Sequence, residues 1–436
     1  MFKRSLKRVS LVCLVVLLSG AIALAALTAV FCLPAREPQI NARRSVATFR
    51  EEGQYPRYIS SYQNTRLDNY ADALMINTAI FSDPHTDPLQ KAIHAYHREI
   101  RDGNPNEQTQ ALIFLLENGN ADTEMADYSR YWHGYVVLLR PLLYFFTYDD
   151  LRVIICMVQG ALMAAVMGLC FRKNRYWLIV PFVGYMFTIS PTGTVFCLEF
   201  FPVHAITLLA CGLILLFETR MSDAICEWFF LFVGMAVSFF DLLTFPTASF
   251  GVPFCLLFCL RPKKSLKASV LFFIRCGMMW CAGYLGLWVT KWLYGTLFSD
   301  ANVFASAIDA LRYRTSEFVR NKPPISRADA IQKNVAIFGN KPLYRGVAAA
   351  ILLFGIVRQA LSKGLSSLAQ PCSLVFLMIA LIPFAWWAIA PNHAYVHPWF
   401  THRSLSVAVF SVLAWLFDEG PRKLPNALQE CRDRRE

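Results

Sequence analysis

The sequence predicts an all-α fold, a polytopic bundle of about ten transmembrane helices that forms a single membrane domain over residues 1–436. Hydrophobic residues make up 56% of the chain and charged residues only 17%, whereas about a quarter of the residues in a soluble protein are charged. The hydrophobic residues also come in long blocks. Because the backbone of a membrane-crossing segment has to satisfy its own hydrogen bonds, blocks of this length predict helices.

The N-terminal segment predicts the first transmembrane helix and its orientation. Four basic residues between positions 3 and 8 precede an uncharged apolar run, Val9–Leu33. The run has about 25 residues, more than the ~7–15 of a signal-peptide core, so we expect it to be retained as a helix. Basic residues flank transmembrane helices mainly on the cytoplasmic side, which places the N-terminus in the cytoplasm.

Further apolar blocks predict the other transmembrane helices, at residues 151–171, 177–189, 200–217, 228–240, 242–260, 268–288, 346–357, 374–390 and 405–417. The short basic loops between them fall on one side under this assignment, which supports it independently of hydropathy. The C-terminal tail falls on the same side and carries the basic residues Arg422, Lys423, Arg432, Arg434 and Arg435. We therefore expect a multi-pass protein of the cell membrane with both termini in the cytoplasm.

Two polar stretches, 34–149 and 297–345, are too long to be simple connectors. We expect both to be external loop regions that contain short helices. The predicted elements are helices at 87–100 and 106–118, an interfacial helix at 131–146, and an amphipathic segment at 302–318.

Several functional classes are excluded by what the sequence lacks. The 13 cysteines lie mostly inside hydrophobic blocks without metal-ligand spacing, so we interpret them as buried apolar side chains. The chain has no P-loop, no GxGxxG after a strand and no GxSxG elbow, the signatures of common soluble enzymes. The basic residues of the two polar stretches face away from the cytoplasm in this topology, so they do not indicate nucleic-acid binding.

Three aspartates at the predicted outer ends of the helices are the candidate catalytic residues. Asp68 and Asp72 lie four residues apart, on one face if the segment is helical, and Asp241 joins two apolar blocks. A carboxylate beside a cavity at the membrane surface could act as a general base, or could position an acceptor or a metal. The alternatives are a solvated or capping acid for Asp68 and Asp72, and an N-cap of the next helix for Asp241.

Further polar residues on the same side are candidates for binding a phosphate or a sugar: Glu199, His204, Lys291, Arg312, Arg314, His393, His397 and Arg403. For each single arginine, solvation or contact with lipid headgroups is the alternative interpretation. His393 and His397 have a metal-like spacing of four residues. Nearby prolines and the absence of an HExxH motif argue against zinc.

The segment LDNYADALM, residues 67–75, resembles the acidic motif of the GT-C superfamily of integral-membrane glycosyltransferases. These enzymes carry a catalytic aspartate on the first external loop, just after the first transmembrane helix. An interfacial helix before the second span and the Ser-Pro turn in ISPTGTVFCLEFFP also follow the plan of this superfamily. The resemblance covers residues 1–217 in the order of features; beyond that it is one of architecture.

The resemblance implies that the protein transfers a sugar from a polyprenyl-phosphate carrier to a glycan, lipid or protein acceptor in the biosynthesis of cell-envelope polysaccharide. Asp68 would deprotonate or orient the acceptor hydroxyl, and Lys291, Arg312, Arg314 and Arg403 would meet the carrier phosphate. The carrier chain would lie among membrane lipids. Asn69 stands where the superfamily commonly has Glu, which weakens metal binding and leaves the base role intact; a divalent metal stays open and no cofactor is assigned.

Two other classes of function remain as alternatives. A lipid-linked oligosaccharide polymerase or ligase is related in fold but relies on external Arg and His residues. A flippase or transporter of polyprenyl lipids would need ionisable residues near the middle of the membrane, whereas the predicted spans carry nearly all of theirs at the ends.

Overall fold

The computed structural model describes residues 2–363 and 373–418, which fold into an almost entirely helical bundle. The all-α class is therefore confirmed. The basic C-terminal tail, with Arg422, Lys423, Arg432, Arg434 and Arg435, lies outside the described residues. Within them the helices are α1 (Phe2–Phe31), α2 (Arg36–Arg43), α3 (Val46–Glu52), α4 (Asn69–Ala79), α5 (Pro88–His94), α6 (Gln108–Asn118), α7 (Val136–Leu142), α8 (Tyr148–Arg172), α9 (Ile179–Ile189), α10 (Pro191–Phe196), α11 (Phe201–Phe217), α12 (Asp223–Phe240), α13 (Ala248–Leu260), α14 (Leu266–Phe298), α15 (Val303–Thr315), α16 (Arg327–Phe338), α17 (Pro342–Lys363), α18 (Ser373–Ala380), α19 (Ile382–Ile389), α20 (Pro391–Val396), α21 (Pro398–Thr401) and α22 (Leu405–Phe417).

Six of the helical segments within these residues are long and apolar enough to cross a membrane. They are Leu6–Phe31, Tyr148–Arg172, Asp223–Phe240, Leu266–Phe298, Pro342–Ser362 and Pro398–Phe417. Shorter apolar segments occupy Tyr176–Ile189, Phe201–Phe217, Ala248–Leu260 and Ser373–Ile389. Large apolar side chains of α1 and α17 stay exposed, as expected of helices whose neighbours are lipid chains.

The segment between α1 and α8 folds against the end of the bundle and contains a short antiparallel sheet. The predicted helix at 87–100 is wrong beyond His94, because Ala95 takes a left-handed conformation (φ +48°) that ends α5. Strand β1 (His97–Ile100) then pairs with β2 (Thr123–Ala126), with His97 opposite Ala126. The predicted interfacial helix at 131–146 is much shorter, since only α7 is helical there.

A buried arginine on α7 connects this helix with the C-terminal ends of α4 and α1. Arg140, on α7, donates hydrogen bonds to the backbone carbonyls of Ala79 and Phe81 at the end of α4, and to that of Leu33 after α1. Carbonyls at a helix C-terminus have no partner within the helix and carry partial negative charge, so a buried cation is well placed there. Arg140 thereby fixes the position of α4.

Helices α12 and α14 form the closest pair in the bundle, and two glycines allow their backbones to meet. A Cβ at Gly234 would lie 2.2 Å from the carbonyl oxygen of Trp280, and one at Gly283 would lie 2.1 Å from that of Leu231. Any larger side chain would separate the helices. This contact sets the position of the end of α14, which carries Trp288 and Lys291.

Candidate active site

Asp68 is the N-cap of α4, and its side chain is almost completely buried. One carboxylate oxygen accepts a hydrogen bond from the backbone N–H of Ala71 (3.1 Å), as is usual for an aspartate that begins a helix. The other accepts a hydrogen bond from Nε1 of Trp399 (2.7 Å). The capping interpretation of Asp68 therefore holds, and the residue also contacts a distant part of the chain.

The environment of Asp68 favours its protonated form. Burial raises the pKa of Asp68 to about 6, and the charge of Asp72 acts in the same direction, while the hydrogen bonds from Trp399 and Ala71 and the charge of Arg66 lower it. A carboxylate with a pKa close to neutral pH can take up a proton and release it again, which is the property of a general base.

Asp72 has a different role, because its carboxylate is saturated with donors from the protein itself. It accepts hydrogen bonds from the Tyr148 hydroxyl (2.7 Å), the backbone N–H groups of Leu198 (2.9 Å) and Glu199 (3.1 Å), and the Cys197 thiol (3.4 Å). Asp72 thus positions the residues between α10 and α11.

Glu199 is held by this contact of its backbone with Asp72. Its carboxyl group is buried, and one oxygen, Oε2, has no hydrogen-bond partner among the described residues. Burial, together with the negative charges of Asp68, Asp72 and Asp241, raises the pKa of Glu199 well above its usual range, and the charge of Arg403 lowers it. The surroundings of Glu199 therefore favour its protonated form.

An arginine and two aromatic side chains form the wall next to Asp68. The Arg66 guanidinium lies 4.1 Å from the ring centre of Tyr55 and 4.0 Å from that of Trp399. Cations are attracted to aromatic faces in this arrangement. Arg66 Nε is buried and has no hydrogen-bond partner within residues 2–363 and 373–418, so this nitrogen can still donate to a bound molecule.

A basic cavity of about 570 Å³ opens beside this wall. We define it by the residues that line it: Arg57, Gln63, Arg66, Lys333, Ala336, Ile337, Asn340, Val396, Pro398 and Trp399. Three of these side chains are cationic. Trp399 belongs both to the cavity wall and to the hydrogen bond with Asp68, so a single side chain connects the cavity with the carboxylate.

An apolar groove of about 620 Å³ begins at the C-terminal end of α16. Side chains of α9, α17 and α22 line it, together with Phe338 at the end of α16. Lys333 and Ile337, earlier on α16, line the basic cavity instead. The apolar groove and the basic cavity therefore both have lining residues on α16.

Comparison of the chain with protein-family models, curated proteins and solved structures returns no match. The geometry of the site itself therefore has to carry any functional argument. No group of three or more His, Cys, Asp or Glu side chains is arranged to hold a metal ion in the part of the chain that the structure describes, so the divalent metal left open above has no candidate ligands there.

Two of the predicted site residues, Asp241 and His204, make structural contacts. Asp241 caps the turn before α13, where both its oxygens accept from the backbone N–H of Thr244 (3.1 and 3.0 Å). Burial raises the pKa of Asp241 to about 7, while the hydrogen bonds from Thr244 lower it. His204 pairs with the Tyr185 hydroxyl inside the bundle (2.8 Å).

Lys291 is fully buried and donates to the backbone carbonyls of Ala92 (2.9 Å) and Ile93 (2.7 Å) at the end of α5. Its ammonium group is therefore committed to a helix C-terminus and is not available to a carrier phosphate.

Arg403 is buried behind the site and donates to three backbone carbonyls, those of Ile189 (2.9 Å), Asn64 (3.4 Å) and Trp399. Its guanidinium also lies 4.1 Å from the ring centre of Phe200. Arg403 thus holds the backbone of Trp399 in place and contributes positive charge near Glu199.

Of the remaining four candidates, Arg312 is exposed, whereas Arg314, His393 and His397 form a cluster. Arg312 is 78% exposed and pairs only with the equally exposed Asp309. Arg314, two residues later, shares a hydrogen bond with Nε2 of His397 (2.9 Å). His393 bonds to a backbone carbonyl through Nε2 and leaves Nδ1 without a partner, and its ring lies 5.2 Å from that of His397.

Two residues near the candidate base were not predicted from the sequence: Trp399, which donates to Asp68, and Arg66, whose guanidinium lies over the Trp399 ring. Arg66 could have been found, because it precedes Asp68 by two residues. Trp399 could not, since 331 positions separate it from Asp68 and a tryptophan in a Pro-rich turn has no pattern of its own.

Proposed function

We propose that the protein is a GT-C-type membrane glycosyltransferase that moves a sugar from a polyprenyl-phosphate carrier to an acceptor hydroxyl. The observation that supports this best is that the apolar groove and the basic cavity both have lining residues on α16, and that Trp399 in the wall of the basic cavity donates to Asp68. A carrier of this kind has an apolar chain, a negative phosphate and a sugar in the same order.

The carrier binds in two parts. Its isoprenoid chain lies in the apolar groove between α9, α17 and α22, where contact with apolar side chains replaces contact with lipid. Its phosphate enters the basic cavity, where Arg57, Arg66 and Lys333 supply positive charge. This assignment replaces Lys291, Arg312 and Arg403 as phosphate ligands, because the first and last are bonded to backbone carbonyls and Arg312 faces solvent.

Asp68 is the general base of the proposed reaction. It accepts the proton of the acceptor hydroxyl as the acceptor oxygen forms a bond to the anomeric carbon. The bond from that carbon to the phosphate oxygen breaks, and its electron pair leaves with the polyprenyl phosphate. Arg66 stabilises the charge on the leaving phosphate, which is electrostatic stabilisation by a preorganised group.

Glu199 and Asp72 assist without taking part in the transfer. Protonated Glu199 avoids a second negative charge beside Asp68, and Asp72 fixes the backbone that carries Glu199.

We further propose that the protein crosses the membrane with about ten spans and that the site lies on the external face. The six long apolar helices and the four shorter apolar segments coincide with the ten predicted spans. The shorter segments are at the lower limit for crossing, which local thinning of the bilayer accommodates.

A lipid-linked oligosaccharide polymerase or ligase is the second candidate, and the Arg314–His397 pair favours it. Enzymes of that class rely on such residues where the glycosyltransferase relies on Asp68.

The experiment that tests the proposal compares Asp68→Asn with Arg314→Ala in cells that produce the protein at normal level. Cell-surface glycan composition is measured along with the amount of protein in the membrane. Loss of a glycan with Asp68→Asn at a normal protein level is the result expected of the glycosyltransferase. Retention of the glycan with Asp68→Asn and its loss with Arg314→Ala would favour the polymerase or ligase, and unchanged glycan in both would refute the two proposals together.

A further inference from the structure

A small second pocket lies away from the basic cavity, between α14, α15 and residues 130–131. We call it the arginine–tryptophan pocket and define it by the residues that line it: Arg130, Tyr131, Leu243, Trp288, Trp292, Ala307, Ala310, Leu311 and Arg314. It shares no lining residue with the basic cavity. Neither the reaction step nor the carrier site uses it.

Positive charge in this pocket is not neutralised by the protein. Neither Arg130 nor Arg314 forms an ion pair with a carboxylate within residues 2–363 and 373–418. Arg314 shares a hydrogen bond with His397, and Arg130 lies 5.6 Å from the ring centre of Tyr128. Two arginines that line one pocket without acidic partners favour an anionic occupant.

A buried donor in the same wall also lacks an acceptor. Trp288 is only 8% exposed, and its Nε1 has no hydrogen-bond partner among the described residues. Trp292, one helical turn further along α14, donates its own Nε1–H to the Arg130 carbonyl (2.9 Å). Since buried polar groups are normally hydrogen-bonded, Trp288 indicates an occupant that carries an acceptor oxygen.

The volume limits what the pocket can hold. At about 50 Å³ it accommodates a few water molecules or a single phosphate or carboxylate group. A whole sugar ring or a lipid chain does not fit. The occupant is therefore one oxyanion group of a larger molecule, the rest of which lies outside the pocket.

The pocket is connected to the candidate base. Arg314 bonds to His397, the ring of His397 lies 5.2 Å from that of Trp399, and Trp399 donates to Asp68. Burial and the charge of Asp68 raise the pKa of the Tyr70 hydroxyl, and the charge of Arg314 lowers it. His397 and Trp399 therefore link Arg314 to Asp68, which places the pocket near the candidate base.

We infer that the acceptor substrate is anionic, and that the arginine–tryptophan pocket binds its phosphate or carboxylate group while an acceptor hydroxyl reaches Asp68. This inference rests on the proposed function, which it extends to the class of acceptor. Two sources supply such a group, a phospholipid headgroup and an acidic sugar, and both present the same oxyanion chemistry to the two arginines.

Binding to the full-length protein in nanodiscs tests the inference without any transfer reaction. The probes are glycerol 1-phosphate for the headgroup, glucuronate for the acidic sugar, and glucose as the neutral control. Tryptophan fluorescence reports binding, because Trp288 and Trp292 line the pocket. We expect at least one anionic probe to bind, glucose not to bind, and Arg130→Gln and Arg314→Gln each to weaken the anion by about tenfold or more.

Two further variants separate this result from structural damage. Arg312→Gln is the matched control, because Arg312 lies on the same helix but faces solvent, and it should bind like the wild-type protein. Trp288→Phe removes the unpaired N–H but keeps an aromatic side chain, and it should weaken the anion by severalfold. A stronger response to glycerol 1-phosphate assigns a headgroup, and a stronger response to glucuronate assigns an acidic sugar.

The inference is overturned if Arg130→Gln, Arg314→Gln and Trp288→Phe all bind the anions as the wild-type protein does, or if glucose binds equally well. Asp68→Asn should retain anion binding. Retained binding with an unchanged cell-surface glycan in Asp68→Asn would therefore refute the glycosyltransferase alone. Lost glycan in Asp68→Asn without anion binding in the wild-type protein would refute the anionic acceptor alone.

Discussion

Replacing Asp68 by Asn is the sharpest perturbation that the site offers, because it removes the proposed base and changes the shape of the side chain very little. The amide oxygen can still accept the hydrogen bond from the Ala71 N–H that begins α4. The Trp399 N–H then faces an NH₂ group in place of an oxygen. The substitution therefore tests the base and keeps the helix cap.

The expected loss of activity follows from the role of a general base. Such a group contributes about 10²–10⁴-fold to a rate, which corresponds to about 3–5 kcal/mol of activation free energy. We expect Asp68→Asn to lower the transfer rate by this factor, with little change in the KM for the polyprenyl-phosphate sugar.

The expected change in stability is small, since two effects offset each other. Burial raises the pKa of Asp68 from 3.8 to about 6. Asp68 therefore contributes stability to the folded state below pH 4, where it is protonated. This contribution is lost as pH rises through 6, so the free energy of unfolding at neutral pH is lower by about 3 kcal/mol. Asparagine removes that cost, but its NH₂ group faces the Trp399 N–H and leaves this buried donor without an acceptor, which costs about 1–3 kcal/mol. The free energy of unfolding should change by less than about 2 kcal/mol.

The assay measures sugar transfer from polyprenyl phosphate in membranes containing equal amounts of each variant, together with the thermal unfolding midpoint of the purified protein. Asp72→Asn is the control. Both oxygens of the Asp72 carboxylate accept hydrogen bonds from protein donors. The NH₂ group of Asp72→Asn would face some of these donors, so the variant should clearly lower the thermal unfolding midpoint. Transfer at the wild-type rate by correctly folded Asp68→Asn would refute the role of Asp68.

Three other predictions test separate parts of the site. The transfer rate should fall with decreasing pH below about 6, as Asp68 takes up its proton. Because the Trp399 hydrogen bond lowers the pKa of Asp68, Trp399→Phe should move the midpoint of this fall to higher pH. A pH profile that is the same in the wild-type protein and in Trp399→Phe would contradict this. Ala348→Trp, which fills the apolar groove from α17, should raise the KM for the carrier at least tenfold without changing kcat, as steady-state kinetics over a range of carrier concentrations would show. Arg66→Gln should weaken the binding of short-chain polyprenyl phosphate by about 1.5–3 kcal/mol, the value of a charged hydrogen bond, and equal affinity in a direct titration would exclude Arg66 as a phosphate ligand.

The helical class could be predicted from sequence because it depends on the length of apolar blocks, a local property. The N-cap position of Asp68 could be predicted for the same reason, since it depends on the residues that directly follow it. The helix predicted at 87–100 failed at Ala95, whose left-handed backbone conformation leaves no mark in composition. The strand that follows is stabilised by pairing with residues 123–126, which a local pattern does not show.

The partners of the charged residues could not be predicted, because they depend on contacts between distant segments. Lys291 looked available to a phosphate, but its partners are carbonyls nearly 200 positions away. Arg312 and Arg314 look equivalent in sequence. They differ by about half a helical turn, which directs one to solvent and the other to His397.

The most direct test of the central claim is photo-crosslinking of the full-length protein with a polyprenyl phosphate that carries a photoreactive group in its isoprenoid chain. Mass spectrometry of the labelled peptides gives the location of the chain. We predict adducts on α9, α17 and α22 around the apolar groove, and loss of these adducts in Ala348→Trp. Labelling of other helices, unchanged by Ala348→Trp, would contradict the carrier site.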